Sequence, residues 1–122
     1  MGAHVSNINL YVRDVEASVR FYVDVLDLRH DAERSHPPGF ALLRSGDLTI
    51  TLQGPDAPGS VFGQSGSFEL GFETDDIPKL RDRLAAAGSE VTPIQTMGWG
   101  SGFDAKDPDG FRLAIFRKRD GA

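Results

Sequence analysis

Asn7-Ile8-Asn9-Leu10-Tyr11-Val12-Arg13-Asp14-Val15-Glu16-Ala17-Ser18-Val19-Arg20-Phe21-Tyr22 changes its periodicity midway. From Asn7 to Val12, polar and apolar residues alternate, the pattern of a strand with one buried face. Arg13 and Asp14 end the alternation, and Asp14 stands where a helix N-cap belongs. Val15, Val19, Tyr22, Val23 and Leu26 then recur at helical spacing and predict an amphipathic helix.

After Asp27 the chain returns through extended segments near Leu28-Arg29-His30 and Phe40-Ala41-Leu42-Leu43. A turn at Ser45-Gly46-Asp47 leads into the strand Leu48–Gln53. A Gly-, Pro- and Ser-rich stretch follows and reads as a linker over residues 54–66. The same plan is then repeated. Ser67–Glu73 alternates as a strand, Asp75-Asp76 opens a helix with Pro78 in its first turn, and Gly88 stops it. Ile77, Leu80, Leu84 and Ala87 form that helix's apolar stripe. Extended segments are predicted over Glu90–Ile94 and Trp99–Lys106. The turn Asp107-Pro108-Asp109-Gly110 precedes a last strand, Phe111–Arg117. Leu10 and Phe72 lie 62 positions apart, as do Asp14 and Asp76; Phe40 and Phe103 lie 63 apart, as do Thr51 and Ala114. The sequence therefore predicts one α+β domain over 1–122, made of two βαβββ modules. Module one covers about 5–53 and module two about 67–118.

Composition narrows the function. The 122 residues suit one domain, and 39% hydrophobic with 25% charged residues is ordinary for a globular chain. No cysteine is present, which excludes disulfides, thiolate nucleophiles and zinc fingers. Thirteen Lys and Arg against 18 Asp and Glu give a net charge of −5, which disfavours nucleic acid. No apolar run approaches the roughly 18 to 20 residues of a membrane helix. The start lacks the features of a signal peptide, so a cytoplasmic protein is expected. Met1-Gly2-Ala3-His4-Val5-Ser6 matches the short myristoylation pattern, but a strand begins straight after it, so it reads as chance or a cloning remnant.

Alternation assigns two faces to the strands. Ile8, Leu10, Val12, Leu48, Ile50, Leu52, Leu70, Phe72, Leu113 and Ile115 should pack under the helices. Asn7, Asn9, Tyr11, Thr49, Thr51, Gln53, Glu69, Gly71, Glu73, Arg112, Ala114 and Phe116 share the other face. Periodicity leaves two readings of that second face open, a solvated sheet surface or a cup around a ligand. Its amides and hydroxyls, with few long charged chains, favour the cup.

Asn9–Ser18, followed by Arg20-Phe21-Tyr22 and Val25-Leu26-Asp27-Leu28, resembles the opening of vicinal oxygen chelate proteins. This is the glyoxalase/bleomycin-resistance/dioxygenase superfamily. Phe72-Glu73-Thr74-Asp75-Asp76-Ile77 is similar to the start of its second module, and Asp107-Pro108-Asp109-Gly110-Phe111 to its closing hairpin. The resemblance implies a cupped mixed sheet, a homodimer, and in the enzymes one metal held by His, Glu or Gln side chains. Carried over, the metal positions fall on Asn7, Thr51, Glu69 and Ala114. Of these, Glu69 alone is a good ligand, and a divalent ion needs several such donors. His4, His30 and His36 read as incidental. No metal and no other cofactor is therefore expected, with a divalent metal as the alternative.

Loss of the metal removes the shared Lewis acid of the superfamily. Glu69 is left as a counter-charge for a cationic ligand, as a partner of Arg112, or as a general base. Trp99, in Met97-Gly98-Trp99-Gly100-Ser101-Gly102-Phe103, stands where an aromatic ring can stack on a ligand, or pack on the sheet rim. Phe62 in the linker and Phe116 with Tyr11 would add wall area. No nucleophile elbow is detectable. The expectation is a metal-free protein, similar to the bleomycin- and antibiotic-sequestering members of the superfamily, that binds a hydrophobic or aromatic small molecule, with a cationic group as one option. Its site would comprise Asn7, Asn9, Tyr11, Thr51, Gln53, Phe62, Glu69, Trp99, Phe103, Ala114 and Phe116. The alternatives are a metal-dependent lyase, isomerase or dioxygenase, and a metal-independent enzyme with Glu69 as base.

Overall fold

The computed structural model describes residues 2–58 and 68–119. The chain divides into two compact units, 1–63 and 64–122, so the boundary falls inside the stretch read as the linker. Among the described residues, no helix is long and apolar enough to cross a membrane.

Module one runs β1 (Asn7–Tyr11), α1 (Val15–Arg20), a π-helical turn (Phe21–Val25), β2 (Arg29–His36), β3 (Phe40–Ser45) and β4 (Leu48–Gln53). Its strands form one mixed sheet in the order β1-β4-β3-β2, with β1 and β4 parallel. Asp14 caps α1 as expected: the Ala17 backbone N–H donates to its Oδ1 at 3.1 Å. The helix itself differs from the expected single stripe. From Phe21 it widens into π geometry, and Asp27 ends it in the left-handed region at φ 62°. The widened turn shifts the buried face, so Val15, Ser18, Phe21 and Tyr22 are buried while Val19, Val23 and Leu26 are half-buried.

Module two runs β5 (Glu69–Glu73), α2 (Ile77–Ala86), β6 (Gln95–Met97), β7 (Gly100–Lys106) and β8 (Arg112–Lys118). The sheet order is β5-β8-β7-β6, with β5 and β8 parallel. Asp76 caps α2 by accepting from the Lys79 N–H at 3.1 Å, and Pro78 lies in the first turn. Residues 90–94, expected as a strand, are not one; the strand comes later and is only three residues long. The reason is local. Pro93 has no N–H to give to a ladder. Among the described residues a single backbone bond, from the Thr92 N–H to the Asp104 carbonyl at 2.9 Å, joins this stretch to β7. Side-chain hydroxyls supplement it: Ser89 Oγ donates to the Lys106 carbonyl at 2.7 Å, and Thr92 Oγ1 accepts from the Asp104 N–H at 2.8 Å.

Module one uses the same device. The β2–β3 register is interrupted between Asp31 and His36. Ser35 Oγ spans the gap, donating to the Asp31 carbonyl at 2.7 Å and accepting from the Leu42 N–H at 3.0 Å. The Asp31 carboxylate beside it accepts from Arg44 Nε at 3.2 Å and Nη2 at 2.8 Å. In each module the face that carries the core is the one alternation predicts. Leu10, Ile50, Leu52, Leu70, Leu113 and Ile115 are buried, and Ile8, Leu48 and Phe72 are half-buried.

The Arg44 hydrogen bonds hold the Asp31 carboxyl below its ordinary value of 3.8, against a smaller opposing effect of burial. A depressed carboxylate stabilises the fold above its unfolded value and loses that contribution as pH falls through the folded one. Asp31→Asn is therefore expected to lower the melting temperature at neutral pH. The gap from the parent should close on acidification below 3.8. Melting curves across pH that stay parallel would contradict this.

Candidate functional site

In module one, Asn7 stands opposite Thr49, Asn9 opposite Thr51 and Tyr11 opposite Gln53. The polar side chains of these strands bond to one another. Thr49 Oγ1 donates to Asn7 Oδ1 at 2.6 Å, and Asn7 Nδ2 donates to Asn9 Oδ1 at 2.8 Å. The Thr51 hydroxyl donates to the same Asn9 oxygen. Thr51 is buried at 6% exposure, which requires such a partner. Tyr11 and Gln53 continue the face as half-buried neighbours.

A second feature of this module lies between α1 and the β2–β3 hairpin, a hollow of about 320 Å³ bordered by Val15, Val19, Pro38 and Phe40. His30 Nε2 is 3.2 Å from Ser35 Oγ at its edge. The Ser35 proton is already directed to the Asp31 carbonyl, so His30 meets the hydroxyl as a donor and not as a base. The pair is structural.

In module two, the face predicted to be polar divides into a charged corner and an aromatic one. Glu69 stands opposite Arg112, Gly71 opposite Ala114 and Glu73 opposite Phe116. On the other side of β8, Asp104 faces Ala114, Gly102 faces Phe116 and Gly100 faces Lys118. Arg112 Nη2 is 3.5 Å from Glu69 Oε2 and 4.0 Å from Asp104 Oδ2, all three side chains being about half exposed. Beyond them, the Trp99 and Phe116 rings meet edge to face at 6.1 Å. Beside the rings is a hollow of about 590 Å³, within the range of small-ligand sites. Met97, Trp99 and Phe116 supply its apolar wall, and Gln95, Asp104 and Lys118 its polar border.

Backbone constraints hold the Trp99 ring there. Met97 pairs with Gly100, leaving Gly98 and Trp99 as a two-residue hairpin turn. The Trp99 carbonyl accepts from the Arg119 N–H at 2.9 Å. A Cβ on Gly100 would come within 2.1 Å of the Arg117 carbonyl oxygen, so only glycine allows this approach. Trp99 is thus part of a pinned turn and remains 43% exposed.

Most of the expected residues lie on the expected face of their own module: Asn7, Asn9, Tyr11, Thr51 and Gln53 in one, Glu69, Ala114 and Phe116 in the other. Phe103 does not. It faces Ile115 on the helix side and is 5% exposed, a core residue that borders the hollow from behind. The 63-residue spacing of Phe40 and Phe103 is therefore not a structural equivalence. Phe40 faces Gln53 on the polar side, and Ala41, facing Leu52, is the counterpart of Phe103. One residue of offset reverses the side. Phe62 lies outside the described residues. Reading the alternation Gly100, Gly102, Asp104, Lys106 along β7 would have exposed Gly102 and Asp104 as face residues. Lys118 continues the alternation Arg112, Ala114, Phe116 one residue past the expected strand end at Arg117, whereas Gln95 and Met97 carry no comparable signal.

The donors at the four carried-over metal positions fit an ion poorly. The Asn7 amide is bonded at both ends, Thr51 donates to Asn9, Ala114 offers a methyl group, and Glu69 is paired with Arg112. Hard divalent ions bind several unengaged oxygen or imidazole donors, which this set does not offer. Among the described residues no group of three or more His, Asp or Glu side chains is arranged to hold a metal.

The family model described as Glyoxalase/Bleomycin resistance protein/Dioxygenase superfamily matches residues 3–115. No curated protein matches the sequence. Among solved structures, a glyoxylase/bleomycin resistance protein/dioxygenase domain from Frankia sp. EAN1pec is 26% identical with a TM-score of 0.76, covering 100% of this chain and 96% of that one. A lactoylglutathione lyase from Agrobacterium tumefaciens is 20% identical, TM-score 0.72, with 95% and 94% covered. A glyoxalase-related enzyme from Fulvimarina pelagi is 22% identical, TM-score 0.78, with 94% and 88% covered. The last two likenesses concern the fold alone.

Gly100→Ala is expected to destabilise the protein by about 1–3 kcal/mol, the scale of a forced backbone change, and to shift the Trp99 emission. Gly98→Ala, where an added Cβ meets nothing within 4 Å, serves as the control. Equal denaturation midpoints for the two variants would show that Gly100 does not seat the turn.

Proposed function

Because the chain belongs to the Glyoxalase/Bleomycin resistance protein/Dioxygenase superfamily, we propose that it is a metal-independent binding protein for a hydrophobic or aromatic small molecule. In this reading it acts as the antibiotic-sequestering members of that superfamily do. The observation that carries the reading is the Trp99–Phe116 corner beside a hollow of about 590 Å³. Two rings set edge to face leave exposed aromatic surface on which a planar molecule gains both buried area and a specific ring contact. Gly71 supports this by leaving the Phe116 ring edge uncovered, since a Cβ there would sit in contact with it at 3.4 Å. Gly102 is required by the backbone, a Cβ there coming within 2.6 Å of the Ile115 carbonyl oxygen.

The engaged donors at Asn7, Thr51 and Glu69 favour binding over metal chemistry. The alternative, a metal-dependent lyase, isomerase or dioxygenase, would need those hydrogen bonds to open. The name of the Agrobacterium protein, lactoylglutathione lyase, gives that alternative its reaction class. A metal-free enzyme using Glu69 as base is disfavoured because its carboxylate already pairs with the Arg112 guanidinium at 3.5 Å. The reading includes a homodimer, to be checked by the solution mass.

Titration with a panel of planar antibiotics is expected to quench Trp99 fluorescence and raise the melting temperature. Phe116→Ala should weaken that binding at least about fivefold, the scale of an aromatic anchor. No quenching and no thermal protection across the panel would end the sequestration reading. Elemental analysis of protein purified without a His-tag is expected to find metal well below one ion per chain. Stoichiometric nickel, zinc, iron or manganese would establish the metal-dependent alternative.

A further inference from the structure

We infer that the module-two hollow selects an aromatic ligand with a cation at one end and an anion at the other, Asp104 taking the cation and Lys118 the anion. The inference rests on the aromatic-binding reading above and adds the charge pattern of the ligand. Among the described residues that border this hollow, Asp104 and Lys118 are the charged ones. Glu69 and Arg112 stand closer to each other, at 3.5 Å, and neither borders the hollow. Asp104, at 4.0 Å from Arg112, is the more loosely held carboxylate and the one turned to ligand space.

The two charges lie at opposite ends. Asp104 is level with Ala114 and Lys118 with Gly100, so four residues of β8 separate them. At about 3.3 Å per residue this is roughly 13 Å of strand. The stretch between is apolar: Phe116 level with Gly102, with Trp99 and Met97 beside them. A ligand that fills it presents rings to the middle and carries its polar groups outward, on the order of 10 Å apart. A cation placed at Lys118, or an anion at Asp104, would meet a like charge, so the orientation is set as well as the class. Both side chains are exposed, which limits each contact to a few-fold in affinity.

The test uses a biphenyl bearing an aminomethyl group at one para end and a carboxylate at the other. Its companions have the amine acetylated, the acid amidated, or both. Calorimetric titration of the parent chain should show the dipolar probe binding about three- to fivefold tighter than either singly capped form. Asp104→Asn should remove the penalty for acetylating the amine and Lys118→Met the penalty for amidating the acid. Both preferences should fade in 1 M salt, where the Debye length falls to about 3 Å. Equal binding of all four probes would overturn the charge assignment and leave the aromatic site standing. Loss of the amine preference in Glu69→Gln but not in Asp104→Asn would overturn it too. Failure of all four probes to bind the folded protein would remove both this inference and the aromatic reading beneath it.

Discussion

The register of two parallel strand pairs, β1 with β4 and β5 with β8, is the constraint on which the rest of the structure depends. Each pair aligns its apolar positions, Leu10 with Leu52 and Leu70 with Leu113, so that one side of each sheet is continuous and buried. The same alignment brings Asn9 level with Thr51 and Gly71 level with Ala114 on the other side. A slip of one residue would turn the amides towards the helix and the leucines outward. That is a large cost, because Leu10, Leu52, Leu70 and Leu113 are all buried. The caps at Asp14 and Asp76 then start each helix at the same distance after its first strand.

On this shared scaffold the two polar faces have become different surfaces. In module one, Asn7, Asn9, Thr49 and Thr51 satisfy one another, so the face is neutral and its hydrogen-bonding capacity is largely used internally. In module two the corresponding positions hold Glu69, Gly71, Arg112 and Ala114, and the face extends to Asp104, Phe116 and Lys118. Small residues there leave space, and aromatic and charged ones border it. The duplicated backbone thus provides one closed polar ladder and one open, chemically varied hollow. The irregular segments beside β3 and β7 share a device as well, with the hydroxyls of Ser35 in one module and of Ser89 and Thr92 in the other bonding to backbone groups of the neighbouring strand where the ladder is incomplete.

The fold was legible because it depends on patterns that a chain displays along its length. Period-two alternation marked the strands, Asp14 and Asp76 marked the helix starts, and the repeat at 62 residues marked the two modules. The site was legible only in part. The polar face followed from alternation alone. Phe103 lies on the core side because the period of two along β7 gives the polar face to Gly102 and Asp104, its neighbours on either side. Asp104 is marked only by the alternation Gly100, Gly102, Asp104, Lys106, a weak signal because two of the four residues are glycines.

By itself, then, the sequence determined the two βαβββ modules, the core side of each strand and the poverty of metal donors at Asn7, Thr51 and Ala114. These are properties of residue type and order, which local geometry converts directly into structure. The tertiary structure decided which polar groups bond to each other, where β6 forms, and that Trp99 meets Phe116 beside a hollow. Those outcomes depend on register between segments distant in the chain and on close backbone approaches such as Gly100 to Arg117. Such distances exist only once the strands are paired, so no reading along the chain contains them.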